Sequence, residues 1–155
     1  MRRSVHHGPS TRQYLTRRQK FGIYGVLGTL WGSGVLWLLV HYWLPQHGPF
    51  GDVPNPAEHW LIVVHGAAAF ATLWLGGWMW RAHVMPWRRS GMRRRSGETL
   101  LWVGGVLIIT GYLLYYAADE MTRHWISLVH WIVGLSLAGV LLVHALRSWR
   151  YRAVP

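Results

Sequence analysis

Histidine is the side chain whose type and spacing point most directly to chemistry in this chain, because a neutral imidazole binds metals and moves protons near neutral pH. His65 and His83 are 18 residues apart, an integral five turns of α-helix, and so share one face about 27 Å apart along the axis. His130 and His144 are 14 residues apart, which returns the second ring to within roughly 40° of the first and about 21 Å further on. Each pair lies in or at the edge of a long apolar run with no Lys, Arg, Asp or Glu in its interior. An ionisable group at that depth is costly to keep and is a functional suspect by default.

The elements that must position these rings are membrane spans. Crossing ~30 Å of hydrocarbon takes roughly 20 apolar residues, and four runs qualify: Phe21 to Leu44, Trp60 to Trp80, Thr99 to Ala118 and His124 to Leu146. The chain has 155 residues, of which 52% are hydrophobic, with 12 Trp and 18 Gly. Its formal net charge of +11 is confined to loops, span edges and tails, which excludes a basic nucleic-acid groove and places nucleic acid outside its partners. The absence of cysteine excludes disulfides, thiolate-held iron–sulfur clusters and thioether-linked haem within this chain.

Charge sets the expected orientation. Of 16 Lys and Arg, 15 fall on the side of the two termini, and four of the five acidic residues fall on the other. Positive residues stay cytoplasmic, so both termini are expected inside a bacterial inner membrane. The resulting fold class is all-α, an integral membrane four-helix bundle, N-in and C-in. Residues 1–20 form a basic cytoplasmic tail, 21–147 the membrane domain and 148–155 a cytoplasmic C-terminal tail. The run Thr16-Arg17-Arg18-Gln19-Lys20-Phe21 faintly resembles a twin-arginine export signal, but the span after it lacks an obvious small-residue cleavage site and is read as retained.

With this topology the second and fourth spans run in the same direction. His65 and His130 each lie about seven residues below the outer boundary, at a depth of roughly 10 Å, and so are level. His83 and His144 fall near the inner boundary, with depths about 6 Å apart, a difference that helix tilt can absorb. Two facing imidazoles at one level suit a six-coordinate haem iron engaged in electron transfer. Gly76, about 20° from the line of His65 and His83, and Gly134, about 40° from His130, would let a flat macrocycle approach helix backbone. Thr72, the one polar side chain on the face between His65 and His83, is expected to bond back to the carbonyl one turn earlier.

These four spans with stacked histidines, and the fourth-span pair His130 and His144 above all, resemble the small bacterial membrane cytochromes b that serve as haem-b subunits of formate dehydrogenases and NiFe hydrogenases. The resemblance covers roughly residues 20 to 148. It implies two b haems stacked across the membrane, a quinone site near one of them, and electron exchange with other redox subunits. In that family a first-span histidine near the cytoplasmic end is usual for the inner haem; here the first span carries only His41, at its outer end. His83 is therefore placed as inner ligand and His41 as reserve outer ligand. Arg81 and Arg147 on the inner side and Arg123 on the outer are the expected propionate partners, each equally explicable as a snorkelling anchor. His41, Tyr115, Tyr116, Asp119, Glu120 and His124 gather by topology at the outer surface and could border a quinone, or be polar turn residues and an aromatic belt. His47, His59 and His124 are interfacial and read as non-ligands. The chain has too little mass outside the membrane to hold its own electron donor or acceptor. Two other classes compete: a haem-free four-span scaffold or assembly subunit, and a small transporter or proton conductor using the histidines as a relay.

Overall fold

The first helix, α1 (Arg17–Trp43), starts where Thr16 and Gln19 satisfy each other's backbone N–H groups in a capping box. Its 27 residues include Arg17 and Arg18 of the twin-arginine-like run, which is thus the first turn of a continuous helix. It stops at Leu44, because Pro45 disfavours helical backbone in the residue before it. A two-stranded antiparallel hairpin follows, β1 (Gln46–Gly48) and β2 (Gly51–Val53), with Gly48 opposite Gly51. Gly51 has φ 119°, a conformation that glycine adopts without strain. The sequence alone suggests only a loop here; three-residue strands are too short to leave a period.

Helix α2 (Pro56–Met79) is opened by Asn55, with Pro56 at its first position and Glu58 closing a second capping box. The Asn55 amide also donates to the Leu44 carbonyl at 3.1 Å, tying the start of α2 to the end of α1. At its far end α2 passes into a π-turn over Trp80–Val84, in which the Met85 N–H reaches the Trp80 carbonyl, and then into the short α3 (Met85–Arg89). Pro86 accounts for the widening: its ring would collide with the carbonyl four residues earlier, and the extra residue in the turn makes room. His83 sits in this π-turn.

Helices α4 (Arg95–Tyr116) and α5 (Glu120–Arg150) are joined by a three-residue turn and are therefore antiparallel neighbours. Asp119 caps α5 by accepting from the Thr122 N–H at 2.7 Å. Its carboxyl is held below the ordinary carboxylate range by hydrogen bonds from Thr122, side chain first and backbone second. With a folded pKa below the unfolded one, the cap's contribution is complete above the ordinary carboxylate pKa of about 4 and is lost as pH falls through the depressed value. Thermal melts of the purified chain at descending pH should show this loss, and Asp119→Asn should flatten it.

The computed structural model describes residues 16–49, 51–89 and 95–150. Within them α1 packs on α2, α4 packs on α5, and the two hairpins meet along α1 and α5. Among the described residues no Cα of α2 comes within 8 Å of one in α5. The helices leave little buried: Ile23, Ser33, Ala68 and Ser96 are the buried residues among those described, and two of these four are serines. Large apolar side chains point outward instead, with Phe70 77%, Trp74 76% and Trp102 77% exposed. Such a surface suits hydrocarbon and not water. Four helices, Arg17–Trp43, Pro56–Ala82, Arg95–Tyr116 and Glu120–Arg147, are long and apolar enough to cross a bilayer, the architecture of a multi-pass membrane protein. The tail residues 1–15 and 151–155, with His6 and His7, lie outside the described residues.

Candidate functional site

The two buried serines lead to the site. Ser33 on α1 lies 3.2 Å from Nδ1 of His65 on α2, and Ser96 on α4 lies 3.2 Å from Nδ1 of His144 on α5. A threonine repeats the arrangement: Thr110 Oγ1 on α4 is 2.8 Å from Nδ1 of His130 on α5. Each hydroxyl is followed directly by a glycine whose missing side chain faces the same ring. A Cβ on Gly34 would stand 3.1 Å from His65 Cε1, one on Gly111 3.3 Å from His130 Cε1, and one on Gly97 3.8 Å from His144 Cε1. The hydroxyl fixes the ring's direction and the glycine gives it space.

Which atom carries the proton follows from the neighbours. The Leu30 carbonyl, 3.0 Å from His65 Nδ1, can only accept, so Nδ1 donates. The Ser33 hydroxyl donates to the same carbonyl at 3.0 Å and turns a lone pair toward the ring. On the other side the Thr110 hydroxyl donates to the Val106 carbonyl at 2.7 Å, which leaves Oγ1 as the acceptor for His130 Nδ1–H. Both neutral rings therefore hold their proton on Nδ1 and their lone pair on Nε2. No hydrogen bond occupies either Nε2 among the described residues. The rings meet across the gap between α2 and α5, with centres 6.3 Å apart and planes inclined at 78°.

The other expected site residues are distributed more widely. The side chain of His83 lies outside the described residues. Gly76 has open space where a Cβ would be, whereas a Cβ on Gly134 would meet Leu107 of α4 at 3.7 Å; Gly134 serves the α4 and α5 contact. Arg81 and Arg123 are exposed, and Arg147 lines a cavity with Arg95. His41 is stacked on Trp37, with centres 4.6 Å apart and planes at 12°, and its Nδ1 is 2.9 Å from Glu58. Tyr115 is 82% exposed, yet its hydroxyl comes within 3.9 Å of the Cβ position of Gly66, next in sequence to His65. Tyr116 pairs with Tyr112, His124 with Trp125, and Asp119 with Thr122. Glu120 opens α5. Thr72 donates to the Ala68 carbonyl at 2.8 Å, as its position on the helix predicts.

Sequence reasoning missed Ser33, Thr110 and Ser96 as ring partners. The signal was a repeated Ser/Thr-Gly pair, at 33–34, 96–97 and 110–111, always on the helix before a histidine-bearing one; a fourth, at 90–91, lies outside the described residues. A Gly34→Val variant tests the fit: its branched side chain would press on the His65 ring, at a cost of about 1–3 kcal/mol by the usual cost of overpacking, read from chemical unfolding in detergent.

Comparison with known proteins adds nothing to this geometry: no family model matches the chain, and no curated protein or solved structure is significantly similar to it.

Proposed function

We propose that the chain is a membrane cytochrome b that holds haem between His65 and His130 and passes electrons between the quinone pool and a partner redox protein. The observation that carries this reading is the matched pair of imidazoles, each with Nδ1–H bonded outward and Nε2 left as the lone pair, facing across a gap between two helices. The separation fits: two metal–nitrogen bonds of about 2 Å, with about 1 Å from each nitrogen to its ring centre, span about 6 Å, against the observed 6.3 Å. No group of three or more metal-binding side chains occurs among the described residues. Two nitrogens alone undersupply a bare ion, whereas a porphyrin brings four more in its own plane.

In this reading His65 and His130 would hold the haem, and Leu30, Ser33 and Thr110 fix their tautomer and direction, as partners of metal-bound histidine do. Gly34 and Gly111 let the rings seat. A bound haem would supply one-electron chemistry. His83 and His144 are the proposed ligands of a second haem near the inner surface. Both termini lie on the cytoplasmic side by the charge asymmetry, which puts His65 and His130 in the outer half of the inner membrane. Tyr115, reaching the α2 backbone beside His65, and the His41–Glu58 pair are the proposed border of a quinol, with the pair placed to receive a proton that the quinol releases on oxidation. The test is to reconstitute the purified chain in vesicles and add a short-chain quinol: reduction of a b-type absorbance supports the assignment, and a haem-free folded chain sinks it in favour of a scaffold.

A further inference from the structure

Between the start of α4 and the last turns of α5 lies a cavity of about 370 Å³ lined by Arg95, Ser96 and Thr99 from α4 and by Ser136, Val140, Val143 and Arg147, among others, from α5. We propose that it holds the headgroup and one acyl chain of an anionic phospholipid. Among the described residues its two charged groups are both guanidiniums and no acidic side chain lines it, so the charge it complements is negative. Guanidinium is the side chain best shaped to bind phosphate oxygens in pairs. Because α4 and α5 are antiparallel, Arg95 at the beginning of one and Arg147 near the end of the other fall at the same end of the hairpin, where a bilayer has its headgroups.

Below the arginines the lining turns apolar, and the polar groups there are already committed. Thr99 donates to the Arg95 carbonyl at 3.0 Å and Ser136 to the Val133 carbonyl at 2.7 Å, so Val140 and Val143 define what an occupant's tail would touch. Ser136, Val140, Val143 and Arg147 form one stripe at four-, three- and four-residue steps. Ser136 is turned roughly 120° from His130 about the helix axis, which turns the groove away from the pair His65 and His130, whereas Ser96 at its upper end is the partner of His144. The inference rests on the membrane reading and not on haem.

The test is native mass spectrometry of the full chain in detergent with phosphatidylglycerol or phosphatidylcholine. The wild type should retain phosphatidylglycerol with a preference of about tenfold over phosphatidylcholine, because both lipids carry a phosphate and only phosphatidylcholine brings a cation toward the two guanidiniums. The double variant Arg95→Gln/Arg147→Gln should bring the two lipids to parity, and Val143→Trp, which fills the groove and keeps both charges, should weaken phosphatidylglycerol as well. Arg88→Gln, at a guanidinium that lies over Trp80 instead, should leave the preference intact. Equal retention of the two lipids by the wild type, an equal loss in Arg88→Gln, or displacement of the lipid by millimolar inorganic phosphate would overturn the proposal; the last would make the cavity a free-anion site. Carbonate extraction of the same membranes reports separately whether the chain is membrane-embedded.

Discussion

A His130→Leu variant is expected to lose the haem held with His65 and, if the wild type binds two, to keep the other. Leucine removes the imidazole that α5 offers at this level, while its size and polarity suit a helix in lipid. The two helix pairs pack without the ring's help, through α1 with α2 and α4 with α5, so the bundle should persist and the loss should be spectroscopic. His65→Leu should give the same result, and the double variant no more than either alone, since both rings are proposed to serve one iron. A His130→Gly variant adds a positive control: exogenous imidazole can enter the space left by the ring and should restore absorbance. Retention of full haem in both leucine variants would remove this pair from the ligand set.

The second large effect concerns a hydroxyl. Thr110→Val keeps the shape and branching of the side chain but takes away the acceptor for His130 Nδ1–H, which has no second acceptor among the described residues. A buried donor left unsatisfied costs about 1–3 kcal/mol, and loss of such an outer partner typically costs 10–100-fold in metal affinity. His65 is protected against the equivalent change, because its Nδ1–H also reaches the Leu30 carbonyl. Ser33→Ala should therefore weaken haem retention clearly less than Thr110→Val. The readout that a purely structural role would not move is the midpoint potential of the haem, together with the low-temperature magnetic resonance spectrum, which follows the orientation of the axial rings. An equal or larger effect of Ser33→Ala would contradict the assigned tautomers.

The four long helices were legible in the sequence because long apolar runs without interior charge fit hydrocarbon and little else. Their ends were less so: α1 and α4 start four residues before the apolar runs at Phe21 and Thr99, carried on by capping at Thr16 and by polar residues that a helix tolerates outside lipid. The π-turn at Trp80–Val84 was hidden for a different reason, since Pro86 marks a disturbance without saying whether the helix will end or widen. At the site, equal depth in two parallel spans was enough to bring His65 and His130 together on paper. Helical phase within a single span cannot reveal a partner on another helix, which is why it points to Gly76 and Gly134 and passes over Gly34 and Gly111, along with Ser33, Thr110 and Ser96. Gly34 and Gly111 matter through contacts across a helix pair, 3.1 and 3.3 Å from a ring carbon, and no periodicity along one helix encodes that.

The most direct test of the central claim is the pyridine haemochrome content of the purified chain, produced with haem in good supply, measured against protein together with its dithionite-reduced minus oxidised spectrum. The expected result is b-type bands, with one haem at His65 and His130 as the minimum and a second if His83 and His144 act as proposed. A folded, helical chain with no haem would contradict it, and the paired imidazoles would then need another purpose.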